Sequence, residues 1–100
     1  MRWISLFFGF GLLWSINSLA QSPRQVIDSL LIRVKEPLPP AQLANMYGEI
    51  GWQYGSINLD SSIYFGKLAV EQAELAGDPK ILAQAYSDLG SGILQKGDLE

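Results

Sequence analysis

The chain has 100 residues, no Cys and no His, and a formal net charge of −3. Its length allows one domain at most, and the missing residue types exclude a disulfide framework, thiolate metal sites and His-based acid–base chemistry within this segment. Its mild acidity argues against nucleic acid as a partner, because such binding rests on Lys and Arg meeting phosphates.

Residues 1–20 read as a secretory signal peptide. Arg2 precedes an uncharged run over 4–16, and Ser18-Leu19-Ala20 places small residues before a cut at Gln21. A basic start, an apolar stretch of about 7–15 residues and a small-x-small site describe such a leader. A spanning helix needs about 20 apolar residues, and this run is shorter; the alternative is an uncleaved membrane anchor. Cleavage leaves six basic residues against ten acidic ones. Export without disulfides means that stability must come from packing, or from more chain than these residues.

Residues 21–40 are expected to form an N-terminal helix and a Pro-rich linker. Ser22-Pro23-Arg24-Gln25 offers a Ser cap, Pro at the first helical position and Gln three residues after the cap. Ile27, Leu30, Leu31 and Val34 follow at helical spacing, and Pro37 with Pro39-Pro40 stops the helix and keeps the linker extended. The next helix spans about 41–54, with Leu43, Met46, Tyr47, Ile50 and Tyr54 along one face. A turn at Gly55-Ser56-Ile57-Asn58 breaks it, and Asp60 is expected to cap a third helix with Ile63, Gly66, Ala69, Val70 and Ala73 on one stripe. Gly77-Asp78-Pro79 supplies a terminal glycine, a cap and a Pro opening the fourth helix. That helix shows Leu82, Ala85, Tyr86, Leu89 and Ile93 on its face, and Gly97-Asp98 is expected to turn the chain. No period-two alternation persists and no hairpin dipeptide occurs, so the fold is expected to be all-α.

The chain also repeats itself. Tyr47-Gly-Glu-Ile-Gly-Trp-Gln-Tyr54 and Tyr86-Ser-Asp-Leu-Gly-Ser-Gly-Ile93 fit one template, with Gly51 and Gly90 spaced 39 residues apart. A helix-interior Gly costs about 1 kcal/mol relative to Ala, so its recurrence predicts a close approach of two helices at each site. On these residues the chain resembles the tetratricopeptide repeat family, whose pattern is Trp-x2-Leu-Gly-x2-Tyr, a later Ala-x3-Phe and a Pro, over about 34 residues. Tyr47, Ile50, Gly51 and Tyr54 match the first half, as do Tyr86, Leu89, Gly90 and Ile93, while Ser62 and Ala69 fall at small-residue positions. Gly66 departs from the pattern, standing where the family has a large aromatic, with Phe65 beside it. The resemblance covers 41–100 and implies antiparallel helix hairpins stacked as an α-solenoid. It assigns 41–79 to a first hairpin and 80–100 to the start of a truncated second repeat, behind the signal-peptide helix.

No enzyme motif is present. Gly48, Gly51 and Gly55 do not follow a strand and form no phosphate-binding loop. Glu71 and Glu74 read as a solvated helix face, so no catalytic residue, metal ligand or cofactor is assigned. A binding surface is the better candidate. Asn45, Glu49, Trp52 and Ser56 share a face of the second helix away from its apolar stripe. Gln84, Ser87, Asp88, Ser91 and Gln95 do the same on the fourth. By the resemblance these positions line a concave groove that takes an extended peptide or a partner helix. Trp52 reads either as a binding hot spot or as a packing residue against a neighbouring repeat or the first helix. The Lys and Arg residues that clamp peptide carboxylates in chaperone-binding relatives are missing here, and Glu49 with Asp88 would repel such a terminus.

Long, degenerate repeats behind a leader resemble the exported sensory regions of bacterial sensor histidine kinases and membrane-tethered transcriptional regulators. The resemblance implies an extracytoplasmic or periplasmic protein-binding scaffold for signal transduction, with a two-component kinase or other effector beyond residue 100. Helix four would then need the cover of a further helix for Leu82, Tyr86, Leu89 and Ile93. A freestanding secreted adaptor and the docking region of a larger enzyme are the alternatives. Membrane contact would come only through a later segment or an uncleaved leader.

Overall fold

The computed structural model describes residues 21–99; the leader assigned to 1–20 lies outside the described residues. Four helices follow in chain order: α1 (Pro23–Arg33), α2 (Pro40–Tyr54), α3 (Leu59–Ala76) and α4 (Pro79–Leu99). Among the described residues there is no strand.

Local chemistry sets most helix ends. Ser22 Oγ accepts the Gln25 amide N–H at 3.2 Å, and the Gln25 side chain returns the bond by accepting the Ser22 N–H at 2.9 Å. This reciprocal pair satisfies two donors that the first helical turn leaves open. Gly77 closes α3 in the left-handed conformation (φ 72°), where a side chain would be strained. Asp78 Oδ1 then accepts the Lys80 N–H at 2.9 Å as α4 begins at Pro79.

Two expectations at helix ends need correction. The cap of α3 is Asn58, not Asp60. Asn58 holds extended backbone (φ −155°, ψ 105°) and its side-chain oxygen accepts the Ser61 N–H at 3.1 Å. The helix therefore starts two residues earlier, at Leu59, and Asp60 falls inside the first turn, where its charge meets the positive end of the helix dipole. Second, α4 runs straight through Gly97-Asp98 to Leu99. Gly is a permissive stop, costing about 1 kcal/mol, and continued intrahelical hydrogen bonding offsets it.

Each helix packs on the next, and α2 also touches α4. The α2–α3 turn is short: Ile57 and Asn58 both donate to the Tyr54 carbonyl at 2.8 Å. Across α3 and α4, Asp60 pairs with Lys96, Ile63 meets Gly92, Gly66 meets Leu89 and Glu74 meets Tyr86. Rising numbers on one helix against falling numbers on the other make the pair antiparallel. A Cβ on Gly48 would lie 3.7 Å from Asp88, so α2 and α4 run side by side in nearly the same 39-residue register as the two sequence motifs.

The core is built from small residues. Ala44, Ala69, Val70, Ala73 and Ala85 form one buried cluster, with Tyr47, Ile81, Leu82 and Leu89 packed around its edge. The stripe expected on α3 is the one that turns inward: Gly66, Ala69, Val70 and Ala73 are all buried. On α2 the buried residues are Ala44, Ile50 and Gly51, while Leu43 and Met46 are only half-buried. Three helices meet at this cluster, with Ala44 from α2, Ala69, Val70 and Ala73 from α3 and Ala85 from α4. Ile27 anchors α1, whose packing partner is α2, and is fully buried.

Two of the recurring glycines behave differently. At Gly51 an added Cβ would stand 3.0 Å from the Ser62 carbonyl and 3.4 Å from the Gly66 nitrogen, so α2 and α3 touch backbone to backbone. At Gly90 an added Cβ would meet nothing within 4 Å. The predicted close approach at Gly90 is not formed among the described residues, because no helix lies against that side of α4. Gly66 carries the second close approach instead, with the Leu89 side chain 3.2 Å from its would-be Cβ. The ring expected near this point comes from Phe65, which stacks on Tyr54 (5.6 Å between centroids, 9° between planes) and meets Tyr64 edge-on.

Candidate binding groove

Because α2 and α4 lie parallel with α3 behind them, the residues facing outward between them form the two walls of a groove. Two clefts make it up. One, of about 280 Å³, is walled by Trp52, Gln53 and Ser56 of the α2 side and by Asp88, Ser91 and Gln95 of α4, with Ser62 and Gly66 of α3 at its back. The other, of about 410 Å³, lies between Asn45 and Glu49 of α2 and Ile81, Gln84 and Ala85 of α4. Gly48, Trp52 and Asp88 border both, so the clefts form one continuous channel.

The residues proposed from helical spacing fall on this channel almost throughout. Asn45, Glu49, Trp52, Ser56, Gln84, Asp88 and Ser91 all line it, and Ser87 does not. Ser87 precedes Asp88 on α4 and points to the exposed side of that helix. Trp52 stands at the junction with 67% of its surface exposed, so among the described residues no neighbouring helix covers it.

Sequence spacing overlooked the glycines. Gly48 borders both clefts, and Gly51, Gly55, Gly66 and Gly92 line the first of them. The signal was available for Gly48, three positions after Asn45 and four before Trp52 on the same helical face. Gly48 sits where α2 passes Asp88, whose Oδ2 would lie 3.7 Å from a Cβ placed there. Ser62 contributes in another way. Its hydroxyl donates to the Gly51 carbonyl at 2.7 Å, fixing the back wall where the two backbones meet.

The electrostatics are one-sided. Glu49 Oε1 accepts an amide N–H from Gln53 and Asp88 Oδ1 accepts one from Gln84, both at 2.9 Å. These bonds run along each helix between residues four apart and hold the carboxylates in place. Among the described residues, no Lys or Arg lines either cleft. Lys96 is engaged by Asp60 of α3 at 2.6 Å.

Among the described residues, no group of His, Cys, Asp and Glu is placed to hold a metal ion. None of their helices is long and apolar enough to cross a membrane. The arrangement offers a concave surface, an aromatic wall and acceptor groups. Comparison with protein-family models, with curated proteins and with solved structures finds no match to this chain.

Proposed function

We propose that the chain is a protein-binding scaffold of the tetratricopeptide type, whose channel between α2 and α4 receives an extended segment of a partner protein. The observation that carries this reading is Trp52. A large aromatic, mostly exposed, stands where two clefts join and is flanked by polar side chains from two helices. Rigid aromatics ringed by polar groups are the usual anchors of protein interfaces. The 39-residue recurrence supports the stacked-repeat architecture, because it places equivalent helices side by side.

The wider reading is an exported sensory input region for a signalling protein, with the leader over 1–20 directing the scaffold out of the cytoplasm. N-terminal analysis of exported material should then begin at Gln21; recovery of Met1 at the membrane would replace the leader by an anchor.

The absence of Cys permits a clean test of the channel. Single-cysteine variants Ser91→Cys, inside the channel, and Ser87→Cys, outside it, carry the same photo-crosslinker. A partner held in the channel reacts from position 91 and not from 87, and Trp52→Ala abolishes the product. Equal crosslinking from both positions, indifferent to Trp52, would withdraw the reading.

A further inference from the structure

We infer that the segment taken into the channel is cationic, and that an Arg or Lys side chain of a bound peptide is seated against Trp52 between Glu49 and Asp88. This rests on the channel reading above and names the chemistry of its occupant.

Three observations converge on it. First, the two ionised groups that line the channel are both carboxylates, one from each wall. Each uses one oxygen to accept a Gln side-chain N–H, from Gln53 to Glu49 and from Gln84 to Asp88, which leaves Glu49 Oε2 and Asp88 Oδ2 for a ligand. Second, among the described residues no basic side chain lines the channel, and the Lys nearest in sequence to its end, Lys96, is turned to Asp60 on α3. An anionic or C-terminal segment would find two negative charges and no partner for its own. Third, Trp52 borders both clefts with its ring exposed, and a guanidinium or ammonium over an indole face is attracted by the ring quadrupole. Arg fits best, since its planar fork can stack on the ring while donating to a carboxylate.

Gly48 borders the channel across from Asp88: a Cβ placed there would meet Asp88 Oδ2 at 3.7 Å, an ordinary van der Waals contact, so the carboxylate stands close to the α2 backbone beside Trp52.

The test uses the full chain and a random library of peptides of about ten residues, enough to span about 30 Å when extended. Retained peptides should be enriched in Arg and Lys and depleted in Asp and Glu. For a labelled Arg-bearing peptide from that set, replacing its Arg by Gln should weaken binding about tenfold, the sum of a charge pair and a cation–π contact. The double variant Glu49→Gln with Asp88→Asn should erase that preference while keeping helicity, because each amide oxygen can still accept from its Gln neighbour. Raising salt from about 0.1 to about 1 M, which shortens the Debye length from about 10 to about 3 Å, should weaken the Arg peptide more than the Gln peptide. Enrichment of neutral or acidic peptides that still depend on Trp52 would overturn the cationic occupant and leave the channel standing. No retained peptide, or retention indifferent to Trp52→Ala, would overturn both.

Discussion

Ser62 and Gly51 are joined twice: the Ser62 hydroxyl donates to the Gly51 carbonyl at 2.7 Å, and the Ser62 carbonyl lies 3.0 Å from where Gly51 would carry a Cβ. The hydrogen bond and the close approach are one device. It holds α2 against α3 behind the channel, so the glycine is required by its neighbour's backbone, which cannot swing aside as a side chain could.

Gly51→Ala should therefore destabilise the fold by about 1–3 kcal/mol, the usual cost of forcing extra atoms into a packed contact. Gly90→Ala, at the equivalent motif position, meets nothing within 4 Å and should instead stabilise by roughly 0.5–1 kcal/mol through helix propensity. Urea denaturation of the two variants distinguishes them; equal effects would mean that the α2–α3 contact is looser than described.

Cap and charge can be separated at the start of α3. Asn58→Ala removes the acceptor for the Ser61 N–H and should cost about 1 kcal/mol, independent of salt. Asp60→Asn loses the exposed pair with Lys96 and should cost under about 1 kcal/mol, an effect that fades as salt rises. A larger, salt-insensitive loss at Asp60 would restore the capping role to that residue.

Burial separates neighbours on α2. Ile50 is fully buried and Trp52, two positions on, is 67% exposed. Ile50→Ala should cost about 2–5 kcal/mol in thermal or urea unfolding, and Trp52→Ala less than about 0.5 kcal/mol. If Trp52→Ala unfolds the protein, the residue is core and the channel loses its anchor.

Tyr86 reports on the α3–α4 contact through pH. Its hydroxyl donates to the Glu74 carboxylate at 3.0 Å, and that bond, together with the carboxylate's charge, raises its pKa above the ordinary 10.0. A group that holds its proton more tightly when folded contributes stability below its unfolded pKa and loses it as pH rises through the folded one. Stability should thus fall in alkaline solution above about pH 10. Phenolate absorbance, compared with Tyr86→Phe to isolate this ring, should show Glu74→Gln moving the titration downward. An unchanged titration would mean that the pair is not formed in solution.

Much of this architecture was legible locally. The Ser22–Gln25 box, Gly77 in the left-handed conformation and Pro79 at the head of α4 are choices made within a few residues, so composition alone announces them. The α3 stripe was legible for the same reason, since period and burial coincide on a helix covered along one side. Spacing placed Asn45, Glu49, Trp52 and Ser56 on one face of α2 and Gln84, Asp88 and Ser91 on one face of α4, because positions three and four apart share a face whatever lies opposite.

Other features depended on what lies across the gap. Asn58 and Asp60 are both competent caps, and the choice followed from where the chain left the Tyr54 turn. Gly51 and Gly90 occupy identical motif positions, yet among the described residues Gly51 has a helix pressed against it and Gly90 has none within 4 Å of a would-be Cβ. Ala44 is buried in the core and Leu43 only half-buried, because adjacent positions face different sides of a helix and the neighbouring helices lie on the Ala44 side. The sequence by itself determined where the helices are and which faces they carry. The tertiary structure decided which small residues mark real contacts and that Trp52, Glu49 and Asp88 share one channel, since those are properties of distances between helices, to which periodicity along one helix is blind.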